Sequence, residues 1–336
     1  MAHSRFGMET KAITEGAVMA ALTAILGLAG IYVPMLSPII MLIWTLPVVL
    51  VCMRHGMRTG AVTIAVAGIA IMSLSTPLTA LNMMFRSAGP ALLIGCGFRF
   101  RWRSEKTILY TSAAAFAGLL ADLAITVFVM GISIREMFYF EPELVNELIT
   151  MFTDYGLMTS QDASLEEMAA FVNTVASTMY LMVPAMLVIY SLFSAFTNYI
   201  TANLVLRKLQ APLPPVTRLS TFRMPIVMLF GYILGFGLTV TGSAFWPETP
   251  MVTTVGQNIS IIFLTIFIVQ GVGLFAFFIE KAPPSMRGVL KFLMVFAIIV
   301  TVFNFLVIIG YIGIADALFD FRRLDITPTG KEAKED

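Results

Sequence analysis

LTALNMMFRSAGPALLIGCGFRFRWRSEKTILYTSAAAFAGLLADLAITVFVM (Leu78–Met130) decides the fold of this chain. Two apolar segments, Leu78–Phe98 and Ile108–Met130, flank the basic turn FRFRWRSEK (Phe98–Lys106), which must sit in water. Each segment is long enough to cross a hydrocarbon core of about 30 Å as a helix. Each also carries one buried charge. Arg86 lies 12 residues before Phe98, and Asp122 lies 14 residues after Ile108. At about 1.5 Å per residue these positions are roughly 18 and 21 Å deep on adjacent antiparallel helices. An unpaired ion at that depth costs about 2.5–3.5 kcal/mol on insertion scales. The spacing therefore predicts a mutual Arg86–Asp122 ion pair. Such a pair reads either as a ligand or ion site at mid-membrane or as a structural tie between two helices. Asn82 sits one turn before Arg86, on the same helix face.

The rest of the sequence agrees on the class. Of 336 residues, 58% are hydrophobic and 12% charged, with a mean hydropathy of +0.89. That composition predicts an all-α polytopic membrane protein. Apolar runs suggest about nine crossings: Ile13–Val33, Leu36–Met53, Gly60–Leu74, Leu78–Phe98, Ile108–Met130, Ser177–Val205, Met224–Val240, Gly256–Phe278 and Val289–Tyr311. The first run follows a long polar start and lacks a small-residue cleavage site, so it reads as a retained span. The third is short for a full crossing.

Lys and Arg choose the orientation. Basic residues recur at Arg5/Lys11, Arg54/Arg58, Arg99–Lys106, Arg207–Arg223 and Lys281/Arg287, in every second loop. These loops, and the N-terminus, are expected in the cytoplasm. The loop 131–176 holds one arginine against eight carboxylates and is expected outside. Within it, EPELVNELITMFTDYG (Glu141–Gly156) has an apolar helix face, and Ser164 with Glu167 forms a capping box for a second helix running into the sixth span. The insert is therefore expected to be helical, either as a cap over the outer mouth or as a hairpin on lipid headgroups. Nine crossings would leave the basic tail at Arg322 and Arg323 outside, against the charge rule. Alternatively, Gly313–Phe321 lies along the interface. These boundaries divide the chain into a six-helix core with its loop (1–206), a Pro-rich connection (207–225), a three-helix part (226–312) and a tail (313–336).

Signals for chemistry are sparse. The two histidines, His3 and His55, fall in or beside basic segments, and the sequence has no metalloprotease, nucleophile-elbow or nucleotide-loop motif. We expect no catalytic residue, no metal, no cofactor and no nucleic-acid partner. Cys52 and Cys96 read as two lone thiols near span ends. Arg86, Asp122, Asn82 and Asn198 form the candidate solute-binding set, although Asn198, Gln270 and Asn304 also suit interhelical hydrogen bonds. The first span reads GAVMAALTA (Gly16–Ala24), with Gly16, Ala20 and Ala24 on one face and Ala17 and Ala21 beside it. Small residues every four positions admit a second helix at close range, from this chain or from another protein.

The stretches KAITEGAVMAALTAIL (Lys11–Leu26), LPVVLVCMRHGMRTGAV (Leu46–Val62) and GIADALFDFRRL (Gly313–Leu324) resemble the bacterial YybS-type, DUF2232 membrane proteins over almost the whole chain. The N-terminal part of that family is in turn similar to the six-helix substrate-binding S components of energy-coupling-factor transporters. The resemblance implies an S-component-like core over Ile13–Val205 with an outward-facing substrate site among spans four to six. It further implies a coupling subunit docked on Gly16–Ala24, and separate ATPases. Two readings compete: a small-solute-binding or transport component, and a membrane scaffold or envelope assembly factor. A membrane enzyme is disfavoured by the lack of buried His and of paired outer carboxylates.

Overall fold

In a computed structural model the chain is all-helical among the described residues, which are 2–138, 147, 150–151, 165–300 and 304–322. Seven helical stretches are long and apolar enough to cross a membrane: Thr10–Tyr32, Pro34–His55, Met57–Leu74, Ser104–Phe128, Val183–Lys208, Val227–Phe245 and Met251–Lys281. Two expected crossings fall outside this set, for different reasons described below. The chain forms two compact units, Met1–Val216 and Thr217–Asp336, and the boundary falls inside the Pro-rich connection.

The first unit contains α1 (Ala2–Tyr32), α2 (Ser37–Ile43), α3 (Leu46–His55), α4 (Met57–Leu74), α5 (Pro77–Arg99), α6 (Ser104–Phe128), α7 (Leu165–Leu181) and α8 (Val183–Lys208). Pro34 and Pro77 open the turns that precede α2 and α5, where a proline costs no helical hydrogen bond. The second apolar run is one stretch by length but two helices in fact. It breaks at Trp44–Thr45, because Pro47 has no N–H to offer the carbonyl of Ile43 one turn back. The expected sixth span is also broken. It divides at Met182 into α7 and α8, with Pro184 in the first turn of α8. Of the expected helix at Glu141–Gly156 only residues 147 and 150–151 are described, all helical, and the Ser164 cap lies outside the described residues.

α5 has 23 residues, enough to span, yet is too polar to count among the seven apolar stretches. Its polarity is matched by its position, for it packs against α3, α4, α6 and α8. Two apolar clusters hold the unit. One, including Val48, Val49, Ile94, Phe98, Tyr199 and Leu206, lies toward the basic turns. The other joins Ala20, Ala24, Ile40, Trp44, Ala67, Ile71 and Ala80. At the basic end, Arg99 donates to the carbonyl oxygens of Met53 and Arg54, at 3.3 and 2.8 Å. Glu15 there accepts from Arg54 at 2.5 Å and meets His55 at 2.8 Å. Lys106 lies over the rings of Trp102 and Tyr110, an arrangement suited to the membrane–water boundary.

The small-residue face of α1 is used inside the chain. Gly16, Ala20 and Ala24 are buried against α4, and a Cβ on Gly16 would sit 3.2 Å from the Thr63 hydroxyl. An outside helix cannot reach these three, which corrects their reading as a partner interface. Ala17 and Ala21 remain exposed. Cys52 and Cys96 are not lone either: their buried Sγ atoms lie 3.7 Å apart as free thiols.

The second unit contains α9 (Val227–Phe245), α10 (Met251–Lys281), α11 (Pro284–Val300) and α12 (Asn304–Phe319). α9 and α10 are antiparallel and very close. A Cβ on Gly235, Gly242 or Gly256 would press into the backbone of the facing helix, at 2.6, 2.7 and 2.5 Å. The expected ninth span, Val289–Tyr311, is helical over 289–300 within α11 and over 304–311 within α12, and residues 301–303 between them lie outside the described residues. Within the segment Gly313–Phe321, proposed as an interfacial helix, Gly313 is buried against the Phe267 carbonyl, so its start packs on α10, while Leu318, Phe319 and Phe321 are exposed.

The chain end is held by charge. Arg322 is 4% exposed and donates from Nη2 and Nε to Asp316 Oδ2 at 2.7 and 3.1 Å. Its Nη1 donates to the carbonyls of Ser220 and Phe222 at 3.1 and 2.8 Å. Gln270 completes the network: its amide donates to Asp316 at 3.0 Å and its oxygen accepts from the Met224 N–H at 3.0 Å. Arg322 thus lies beside segment 218–224 and not on the opposite side, as nine crossings would require.

Candidate functional site

The cavity of the first unit encloses about 420 Å³, within the size range of small-molecule sites. It is walled by the end of α1, by α2 and the Trp44–Thr45 break, by α5, by α6 and by α8. The walls come from the C-terminal end of α1, from Thr79 to Ile94 along α5, from Ala115 and Leu119 in the middle of α6 and from Tyr190 to Asn198 of α8. Gly30 and Thr79 mark the end of the cavity away from the basic turns. Irregular backbone at membrane depth is tolerated where it lines a cavity, and the Trp44–Thr45 break does so.

Two polar stripes face this space. On α5, Thr79, Asn82 and Arg86 follow one another at helical spacing. On α8, Tyr190, Ser194 and Asn198 do the same. They meet at one contact: Arg86 Nη2 donates to the Tyr190 hydroxyl at 2.6 Å, with its guanidinium carbon 5.4 Å from the ring centre. Asn198 donates to the Ser194 carbonyl at 2.8 Å, which fixes its amide against its own helix. The Asn82 Oδ1 is buried without a hydrogen-bond partner.

Three of the four candidate solute residues, Asn82, Arg86 and Asn198, therefore come together. Asp122 is not a wall residue. No ion pair joins it to Arg86 among the described residues, and its Oδ1 is buried without a hydrogen-bond partner. The expected pair fails on register. Counting from Ile108 omits the first turn of the helix, since α6 begins at Ser104. That polar turn is buried, with the Ser104 hydroxyl 2.9 Å from the Tyr199 hydroxyl. Gly118 packs on the Phe85 carbonyl and the Arg86 backbone, so Arg86 faces residue 118 and Asp122 lies one turn beyond. One turn is about 5.4 Å, and at that offset the charges feel one another without touching.

Tyr190 escaped the sequence reading. Its spacing of four from Ser194 and eight from Asn198 would have marked it. The cavity break escaped as well, although Pro47 inside an apolar run signals it. Among the described residues no three His, Cys, Asp or Glu side chains converge as metal ligands.

Several apolar membrane-crossing helices, with a polar cavity among those of the first unit, define a multi-pass membrane protein. The chain belongs to the DUF2232 family of predicted membrane proteins, whose pattern matches residues 21–317. It is 22% identical over 321 residues to the uncharacterized protein YybS of Bacillus subtilis (strain 168), covering 94% of this chain and 98% of that one. No solved structure matches the chain significantly.

Proposed function

We propose that this protein binds a small solute within the membrane, in the cavity of its first unit. The observation that carries the reading is the convergence of Arg86, Asn82, Asn198 and Tyr190 on an open-mouthed cavity beside a broken helix. Polar groups inside a membrane protein are costly, and they gather where a ligand repays them. The Asn82 oxygen, buried without a partner, is one such cost. On the charge rule the mouth faces outward, the side from which an uptake component would load.

A role in uptake of S-component type extends this reading. The chain carries no nucleotide motif, so energised transport would draw on separate coupling and ATPase subunits. The docking face once assigned to Gly16, Ala20 and Ala24 no longer supports that step, because α4 occupies it.

The test is to purify the full chain in nanodiscs, extract it with solvent and identify released small molecules by mass spectrometry. Wild-type protein should release a compound that an Asn82→Leu/Asn198→Leu variant of equal monodispersity does not. Identical extracts from both proteins would remove the reading.

A further inference from the structure

Among the described residues Arg86 is the one charged side chain in the cavity wall. A guanidinium has five N–H donors in a fixed fork, and the Tyr190 hydroxyl takes one of them. Among the described residues no carboxylate shares the wall, and Asp122 stands one turn away. A neutral solute would leave the remaining donors poorly matched, and a cation would be repelled. A carboxylate suits them, because two parallel N–H···O bonds fit its geometry. A phosphate dianion would ask for more positive charge, and among the described residues no lysine or second arginine lines the space. Much of the remaining wall is apolar, including Ile40, Trp44, Met83, Ile94 and Leu119.

We propose that the solute is a small organic monoanion, with a carboxylate held on Arg86 beside Tyr190 and an apolar body against Trp44 and the aliphatic wall. The inference rests on the solute-binding reading and names its chemical class. Asp122 then acts as a rival for Arg86: its negative charge weakens the hold on the solute without touching it. Such a carboxylate reaches the cavity either from water, as a free organic acid, or from the bilayer, as a fatty acid.

The experiment is calorimetric titration of the full chain in nanodiscs of zwitterionic lipid, using benzoate, oleate, benzylamine and benzyl alcohol. Saturable binding of benzoate supports an acid from water, and binding of oleate alone supports one from the bilayer. Arg86→Gln should weaken the bound carboxylate at least tenfold, and Asp122→Asn should tighten it severalfold. Tyr190→Phe, which leaves every charge in place, should weaken it severalfold and decides the matter if Arg86→Gln does not fold. The proposal is overturned if benzylamine or benzyl alcohol binds as well as the carboxylates. It is also overturned if neither carboxylate binds, or if Asp122→Asn and Tyr190→Phe leave affinity unchanged. A neutral or cationic compound released in the extraction test would sink this proposal while leaving solute binding standing.

Discussion

Arg86 and Arg322 keep different company, and the difference sets what each does. Arg322 has its charge answered within hydrogen-bonding distance by Asp316 and three of its donors placed on acceptors. Removing one member of such a desolvated pair costs about 3–5 kcal/mol, because the other is stranded. Arg322→Met or Asp316→Leu alone should therefore cut the yield and melting temperature of the protein, and the double variant should recover much of both. Arg86 has no direct counter-ion, only Tyr190 and the field of Asp122. A double-mutant cycle of Arg86→Met with Asp122→Leu should show weak coupling, about 1 kcal/mol or less. Thermal unfolding in one detergent measures both cycles. Coupling at Arg86–Asp122 as strong as that at Arg322–Asp316 would restore a direct pair and contradict the register given by Gly118.

At the scale of elements, close packing of small residues explains more than apolarity does. The α1 face of Gly16, Ala20 and Ala24 holds α4, so Ala20→Leu should overpack the contact and destabilise it by about 1–3 kcal/mol. Ala17→Leu and Ala21→Leu, on the exposed side, should be tolerated. Size-exclusion profiles of the four alanine variants, Ala24→Leu included, test this. A monodisperse Ala20→Leu protein would contradict the α1–α4 contact. Most helices were legible in the sequence, because a run of eighteen or more apolar residues has few other solutions. What failed was where helices break and how they register. Pro47 and Pro184 interrupt apolar runs that hydropathy joins. Ser104–Thr107, polar by composition, belong to α6 and shift Asp122 by a turn. Gly271 and Gly313, unremarked in the sequence, let α12 meet α10 backbone to backbone. The candidate site was legible as residue types on α5, and Asn198 marked α8. The cavity itself was not, since it depends on five elements meeting.

At the scale of the whole molecule, the tail returns the charge rule to consistency. Arg322 bonds the carbonyls of Ser220 and Phe222, so this arginine lies on the same side as the basic segment 218–223. Reporter fusions at Arg103, at Leu213 and after Asp336 should all report the cytoplasm, and one at Glu147 the outside. A tail reporter on the side opposite Leu213 would break the Arg322 network. The central claim is that the first unit holds a solute in the membrane at Arg86. The most direct measurement is electron cryo-microscopy of the protein purified from its cells, in nanodiscs and enlarged by a rigid fiducial. The account predicts non-protein density in the cavity, touching Arg86 and Tyr190 and absent from an Asn82→Leu/Asn198→Leu variant. A space closed by wall side chains, with Arg86 turned directly onto Asp122, would contradict it.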